Sequence, residues 1–138
     1  MIDIFAKKFL MHFKTTYKIA YETVDTAGIV VLKLQDENGR YGLGSAAPDF
    51  EVTGETVDSV LEIIQDKIKP NFFDSPFDAW YWYHEEIEKA LQGHPSAQSA
   101  LEEAYLNLLS ARMGITMKQL FGGYRETCPI IMSIGMKS

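Results

Sequence analysis

Two stretches of this chain, together with its scattered histidines and its single cysteine, carry residue types that could do chemistry. His84-Glu85-Glu86-Ile87-Glu88 resembles the first half of the zinc-protease signature His-Glu-x-x-His. Its second imidazole is replaced by Glu88, and no third ligand lies nearby, so the segment reads as a solvated helix face rather than a metal site. Gly42-Leu43-Gly44-Ser45 is glycine-rich, but no helix opens directly after it to aim amides at a phosphate. Glycines in a strand more often admit another backbone at close range. His12, His84 and His94 fall on a strand, a helix face and a turn before a helix, with no nucleophile elbow in the chain. Cys128 is the single cysteine. It offers no disulfide framework and no Cys-based zinc site, and it reads as a buried, inert thiol. No catalytic residue and no metal ligand is therefore assigned.

Composition narrows the partners. The chain has 138 residues, 46% apolar and 12% aromatic, enough for a real core. A formal charge of −6 argues against nucleic acid, whose phosphates demand a basic surface. The start, MIDIFAKKFLMHFKTTYK, mixes lysines into its apolar residues and reads neither as a signal peptide nor as a membrane span. A cytoplasmic, reducing setting follows by default, and a homo-oligomer stays open.

The elements come next. Ile2–Phe13, Gly28–Gln35 and Arg40–Ala47 read as strands, and Asn38-Gly39 predicts a type I′ hairpin turn between the last two. From Thr56 the apolar period becomes 3.6. Val57, Val60, Leu61, Ile64 and Ile68 share one helix face, ending before Pro70. A second helix opens at Ser75-Pro76-Phe77-Asp78, with Ser75 as N-cap and a stripe of Phe77, Trp80, Tyr81, Ile87 and Leu91. A third follows His94-Pro95-Ser96 and ends at Gly114, and a short fourth spans Met117–Phe121. The class is α+β: a three-stranded antiparallel meander followed by a three- to four-helix bundle. A last apolar run, Pro129-Ile130-Ile131-Met132-Ser133-Ile134, reads as a buried strand belonging to none of the earlier elements. Two segments stand out as binding loops, Lys14–Ala27 and Pro48–Glu55, both leaving the same end of the sheet.

The stretch HPSAQSALEEAYLNLLSARMGITMKQLFGGYR resembles the helical part of the N-terminal cap in the enolase superfamily, in its muconate-lactonizing and mandelate-racemase branch. YKIAYETV, GLGSAAP and VTGET look like the L-Ala-D/L-Glu (dipeptide) epimerase group. The resemblance runs from Ile2 to Ile134, with departures at Glu102-Glu103-Ala104-Tyr105-Leu106-Asn107-Leu108 and at Gly114-Ile115-Thr116 that touch the subgroup rather than the fold.

The likeness implies a cap domain over residues 1–125 and, over 126–138, the first strand of a truncated (β/α)₈ barrel. It implies an enzyme that abstracts the proton alpha to a carboxylate through an enediolate, with Mg²⁺ in the complete enzyme and none bound by this chain alone. Bases and metal ligands would sit on the missing barrel, leaving these residues inactive by themselves. The cap would share a small substrate, a dipeptide or another carboxylate, with that barrel, with no nucleic acid and no membrane as partner. Tyr17, Lys18, Glu22 and Thr23 would lie in a first flap, Phe50, Val52 and Thr53 in a second, and Ser133 beside the pocket. Two alternatives stay open. One is the cap of a muconate or chloromuconate cycloisomerase or an o-succinylbenzoate synthase; the other is a non-catalytic binding module.

Overall fold

The computed structural model describes residues 1–18, 23–68, 70–74 and 76–131. Three strands come first, β1 (Ile2–Lys18), β2 (Thr23–Asp36) and β3 (Tyr41–Ala46). They form an antiparallel sheet in the order β1-β2-β3. Helices follow: α1 (Phe50–Thr53), α2 (Val57–Lys67), a 3₁₀ turn at Pro70–Phe73, α3 (Trp80–Ala90), α4 (Pro95–Met113) and α5 (Met117–Leu120). This is the expected α+β order, with one helix more at the β3 exit.

Alternation decides the faces of the sheet. Val30, Leu32 and Leu34 of β2 point inward with Ile2 of β1 and Ala46 of β3, all buried. Phe5, Tyr41 and Leu43 point outward and stay exposed. The Lys33 Nζ sits over the rings of Phe5 and Tyr41 at 5.6 and 5.2 Å.

Helix α4 lies along the inner face, and the two β3 glycines explain how. A Cβ at Gly44 would run into the Ala100 carbonyl, and one at Gly42 into the Ala104 carbonyl. Strand and helix backbones thus meet over a surface of glycine and alanine, as the sequence reading of these glycines expects. The same helix covers the β3 edge. Glu103 Oε2 accepts from the Ser45 N–H at 2.8 Å, and Asn107 Nδ2 donates to the Leu43 carbonyl at 2.8 Å. Those groups would otherwise present an open edge.

The β2–β3 turn differs from expectation. Gly39 has φ 78°, but no residue other than glycine has positive φ among the described residues, so Asn38 does not take the I′ geometry. The loop is instead one residue longer. The Gly39 N–H donates to the Asp36 carbonyl, and Asp36 Oδ1 accepts from the N–H groups of Asn38 and Arg40, each at 3.0 Å. An aspartate opening the turn and a left-handed glycine closing it favour this arrangement.

Helix α3 also departs from expectation. It starts at Trp80 after Ala79, which makes no side-chain cap, and Ser75 lies outside the described residues. Phe77 is drawn into the core, where its carbonyl accepts from the Tyr105 hydroxyl at 2.6 Å, and this holds the segment out of the helix. Phe73, Phe77, Tyr83 and Tyr105 pack ring against ring there. Trp80 and Tyr81 are exposed, so the buried face of α3 is carried by Tyr83 and Ile87. Cys128, expected to be buried, is exposed.

Candidate functional site

The first of the two expected loops is mostly strand. The β1–β2 ladder continues through Leu10↔Gly28 and His12↔Thr26, shifts register, and resumes at Tyr17↔Val24 and Lys18↔Thr23. Thr15, Thr16, Val24 and Thr26 are β-branched, and that local preference outweighs the polarity suggesting a loop. β3 pairs only with Val30–Gln35. From Thr23 to Ile29 the ribbon therefore extends past the third strand, a reach of about 20 Å at ordinary strand rise.

Only the base of this ribbon rests on the helices. A Cβ at Gly28 would come within 2.6 Å of Val57 Cγ2, so glycine lets the start of α2 lie against the strand. Beside that contact, Lys8 Nζ meets Asp58 Oδ1 at 2.7 Å. Beyond it stand the exposed side chains of Leu10, Met11 and Phe13. The register shift leaves residues 13–16 of β1 opposite Asp25 alone, a bulge that bends and twists the ribbon.

The second expected loop contains α1. Asp49 caps it by accepting from the Glu51 N–H at 3.0 Å, and Gly54 closes it in the left-handed region at φ 71°. Sequence reading missed this helix. The signal was present as Asp49 and Gly54 bracketing four residues, but one turn is too short to show a period. Phe50 and Val52 point to solvent, 65% and 74% exposed, while Thr53 is half-buried and donates through Oγ1 to the Asp49 carbonyl at 3.0 Å.

Both segments leave the same end of the sheet, since Ala46 pairs with Val30 and the ribbon continues onward from there. Of the first-flap residues, Lys18 and Thr23 form the last described rung and are exposed. Tyr17 shares the preceding rung through its backbone. Glu22 lies outside the described residues, as does Ser133. Pro129, Ile130 and Ile131 adopt no regular structure and are exposed; Met132–Ile134 of the expected strand lie outside the described residues.

Thr53 borders an open cleft of about 260 Å³ shared with Ser45, Ala47, Pro95, Ser96 and Ser99. Four hydroxyls around small apolar groups can take a polar ligand edge but supply no general base. A larger cleft of about 360 Å³ runs along Ile2–Ala6 against Ile64 and Ile68, at the far end of β1 from both flaps.

His84 lies elsewhere. Its Nδ1 is 2.8 Å from Glu102 Oε1, with the imidazole 46% exposed, which makes a cross-helix pair on a solvated face. Among the described residues no group of three or more His, Cys, Asp or Glu is placed to hold a metal ion. These described side chains offer no ligand set that fits Mg²⁺. No helix among them is long and apolar enough to cross a membrane.

Three comparisons bear on the arrangement. The family model of the mandelate racemase/muconate lactonizing enzyme N-terminal domain matches residues 1–122. The L-Ala-D/L-Glu epimerase of Bacillus subtilis is 29% identical over 122 residues, 88% of this chain and 33% of that one. The L-Lys-D/L-Arg epimerase of Desulforapulum autotrophicum is also 29% identical, over 87% of this chain and 34% of its own. A dipeptide epimerase from Methylococcus capsulatus, solved with Mg and the dipeptide L-Arg-D-Lys, superposes with a TM-score of 0.86 at 22% identity. That match covers 98% of this chain and 38% of the other. The chain spans about a third of the length of the curated relatives it matches.

Proposed function

Because this chain belongs to the mandelate racemase/muconate lactonizing enzyme family through its N-terminal domain, we propose that it is the substrate-selecting cap of a dipeptide epimerase. The single observation that carries the reading is the pairing of two unlike projections at one end of the sheet. A two-stranded ribbon and the capped turn α1 both hold apolar side chains in solvent, and among the described residues Leu10, Phe50 and Val52 stay exposed. Exposed apolar groups on projections of this kind suit a mouth to be closed, where they displace water from a bound substrate.

In this reading the chemistry, removal of the proton alpha to a carboxylate, belongs to a (β/α)₈ barrel to which the cap is joined, with Ser133 on its first strand, and any Mg²⁺ would be held by that barrel. What these residues do is bind, orient and exclude water. Tyr17, Lys18, Glu22 and Thr23 line the first flap, and Phe50, Val52 and Thr53 the second. Glu22 would bring a carboxylate to the first flap. A carboxylate there repels a substrate carboxylate and favours a dipeptide whose second residue is cationic or neutral. L-Ala-D/L-Glu and L-Lys-D/L-Arg epimerases match the chain at equal identity, so the choice rests on the charge of Glu22 and not on the relatives.

The test is a dipeptide panel offered to the barrel-joined enzyme in D₂O, read by deuterium incorporation at the alpha carbon. Faster exchange with Lys- or Arg-containing dipeptides than with L-Ala-L-Glu is expected. Faster exchange with L-Ala-L-Glu sinks the charge argument. No exchange with any dipeptide sinks the epimerase.

A further inference from the structure

Helix α1 presents a physical problem. It has four residues and buries none of them. A helix of that length has no stability of its own, and without buried side chains no packing fixes its position. Yet Phe50, Val52 and Thr53 can select a substrate only if they are held in one place.

The neighbouring Glu55 supplies what packing does not. It is 3% exposed, although glutamate is rarely buried without partners. Its Oε2 accepts from the Ser96 N–H at 2.7 Å and its Oε1 from the Ala97 N–H at 3.3 Å. Those amides belong to the first turn of α4, where no carbonyl of the same helix can reach them. His94, at the N-cap, provides no side-chain bond to them either. A carboxylate from a remote segment thus caps α4, with its charge at the favourable end of the helix dipole.

The connection continues backward into α1. The Glu55 N–H donates to Thr53 Oγ1 at 3.3 Å, and that hydroxyl donates to the Asp49 carbonyl. The Gly54 N–H closes on the Phe50 carbonyl at 3.0 Å. At the other end, α4 is seated on Gly42 and Gly44 through its backbone at Ala104 and Ala100. An unbroken path runs from sheet to α4 to Glu55 to α1. Among the described residues the ribbon has no such path beyond Gly28.

We propose that Glu55 is the positioning residue of the second flap, fixing α1 on the α4 N-terminus so that one flap is rigid while the ribbon opposite moves. Its meaning for substrate choice rests on the cap reading above; its structural content does not.

Hydrogen exchange followed by mass spectrometry on the 138-residue chain, wild type against Glu55→Gln, tests it. The glutamine keeps the shape but turns an amide group toward one of the two N–H donors. Amides of residues 50–55 are expected to exchange at least about tenfold faster, as the loss of a charged hydrogen bond implies. Residues 30–36 should stay unchanged. Faster exchange at Ser96 and Ala97 alone, with α1 unaffected, overturns the proposal and leaves Glu55 a cap of α4 only. Should the variant not fold, the wild type decides. Protection across both α1 and the Ser96–Ala97 pair supports the proposal, and an α1 exchanging at the unfolded rate overturns it. In the barrel-joined enzyme, Glu55→Gln should raise KM and alter the ranking of dipeptides with kcat largely kept. A fall in kcat alone, with KM and ranking unchanged, contradicts a positioning role. If no dipeptide is turned over by the wild type, the cap reading fails while the exchange result still stands for Glu55.

Discussion

Tyr105 shows how one side chain ties the core to solution conditions. Its hydroxyl is buried against the Phe77 carbonyl, and burial, reinforced by Tyr83 and Asp78, pushes the phenol well above its ordinary value. A raised pKa in the folded state means that the fold holds the neutral form. Its contribution is complete below about pH 10, the ordinary tyrosine value, and is lost as pH climbs above that. Urea melts across pH 8–11 should show stability falling on the alkaline side, with the fall reduced in Tyr105→Phe. At neutral pH that variant should lose about 1–2 kcal/mol, because the Phe77 carbonyl is left buried without a donor. Gly44 gives a harsher case. Gly44→Ala puts a methyl group into the Ala100 carbonyl, and since backbone cannot swing aside, a loss of about 3 kcal/mol in the same melts is expected. This glycine was legible in the sequence as a place of close backbone approach. Glu55 was not, because only the fold brings residue 55 to residues 96 and 97.

Elements differed in how openly the sequence declared them. Helix α2 was legible because its apolar spacing and its capping box agree. Thr56 Oγ1 accepts from the Ser59 N–H, and Ser59 Oγ accepts from the Thr56 N–H. Thr56→Ala should cost about 1 kcal/mol in thermal melts, and a loss near zero would mean that the cap contributes nothing. Helix α4 was read to its end, since Pro95 and Gly114 mark both boundaries. The misjudged elements are those where long-range contacts overrule local signals. The start of α3 moved because Phe77 is drawn to Tyr105. The first flap reads as a polar loop but pairs as a ribbon because it is rich in β-branched residues such as Thr23, Val24 and Thr26. An isolated two-stranded ribbon is only marginally stable in water. Amides of 9–18 and 23–28 should therefore exchange much faster than those of 30–36, which lie between two strands and under α4. Equal protection along the whole of β2 would contradict a ribbon free beyond Gly28.

At the scale of the molecule, the proposed reading gives recognition to this domain and reactivity to the barrel it is joined to. The sheet and α4 make a platform, and two projections of unequal stiffness leave it at one end. The described side chains there include hydroxyls, apolar groups, Lys14, Lys18, Asp25 and Glu51, with no group of three or more His, Cys, Asp or Glu among them placed to hold a metal. Family and fold were legible from motifs such as VTGET and GGYR, which record turn and cap geometry. In the proposed reading, substrate preference depends instead on the charge of single residues that such motifs tolerate, Glu22 among them. The most direct test of selection by this domain is therefore a charge reversal in the first flap. For the barrel-joined enzyme, kcat/KM should be measured for L-Ala-L-Glu and for an L-Ala dipeptide ending in lysine, before and after Glu22→Arg. The account predicts that the ratio shifts toward L-Ala-L-Glu by at least about tenfold, as expected from replacing repulsion by attraction in a water-poor pocket. An unchanged ratio would contradict it.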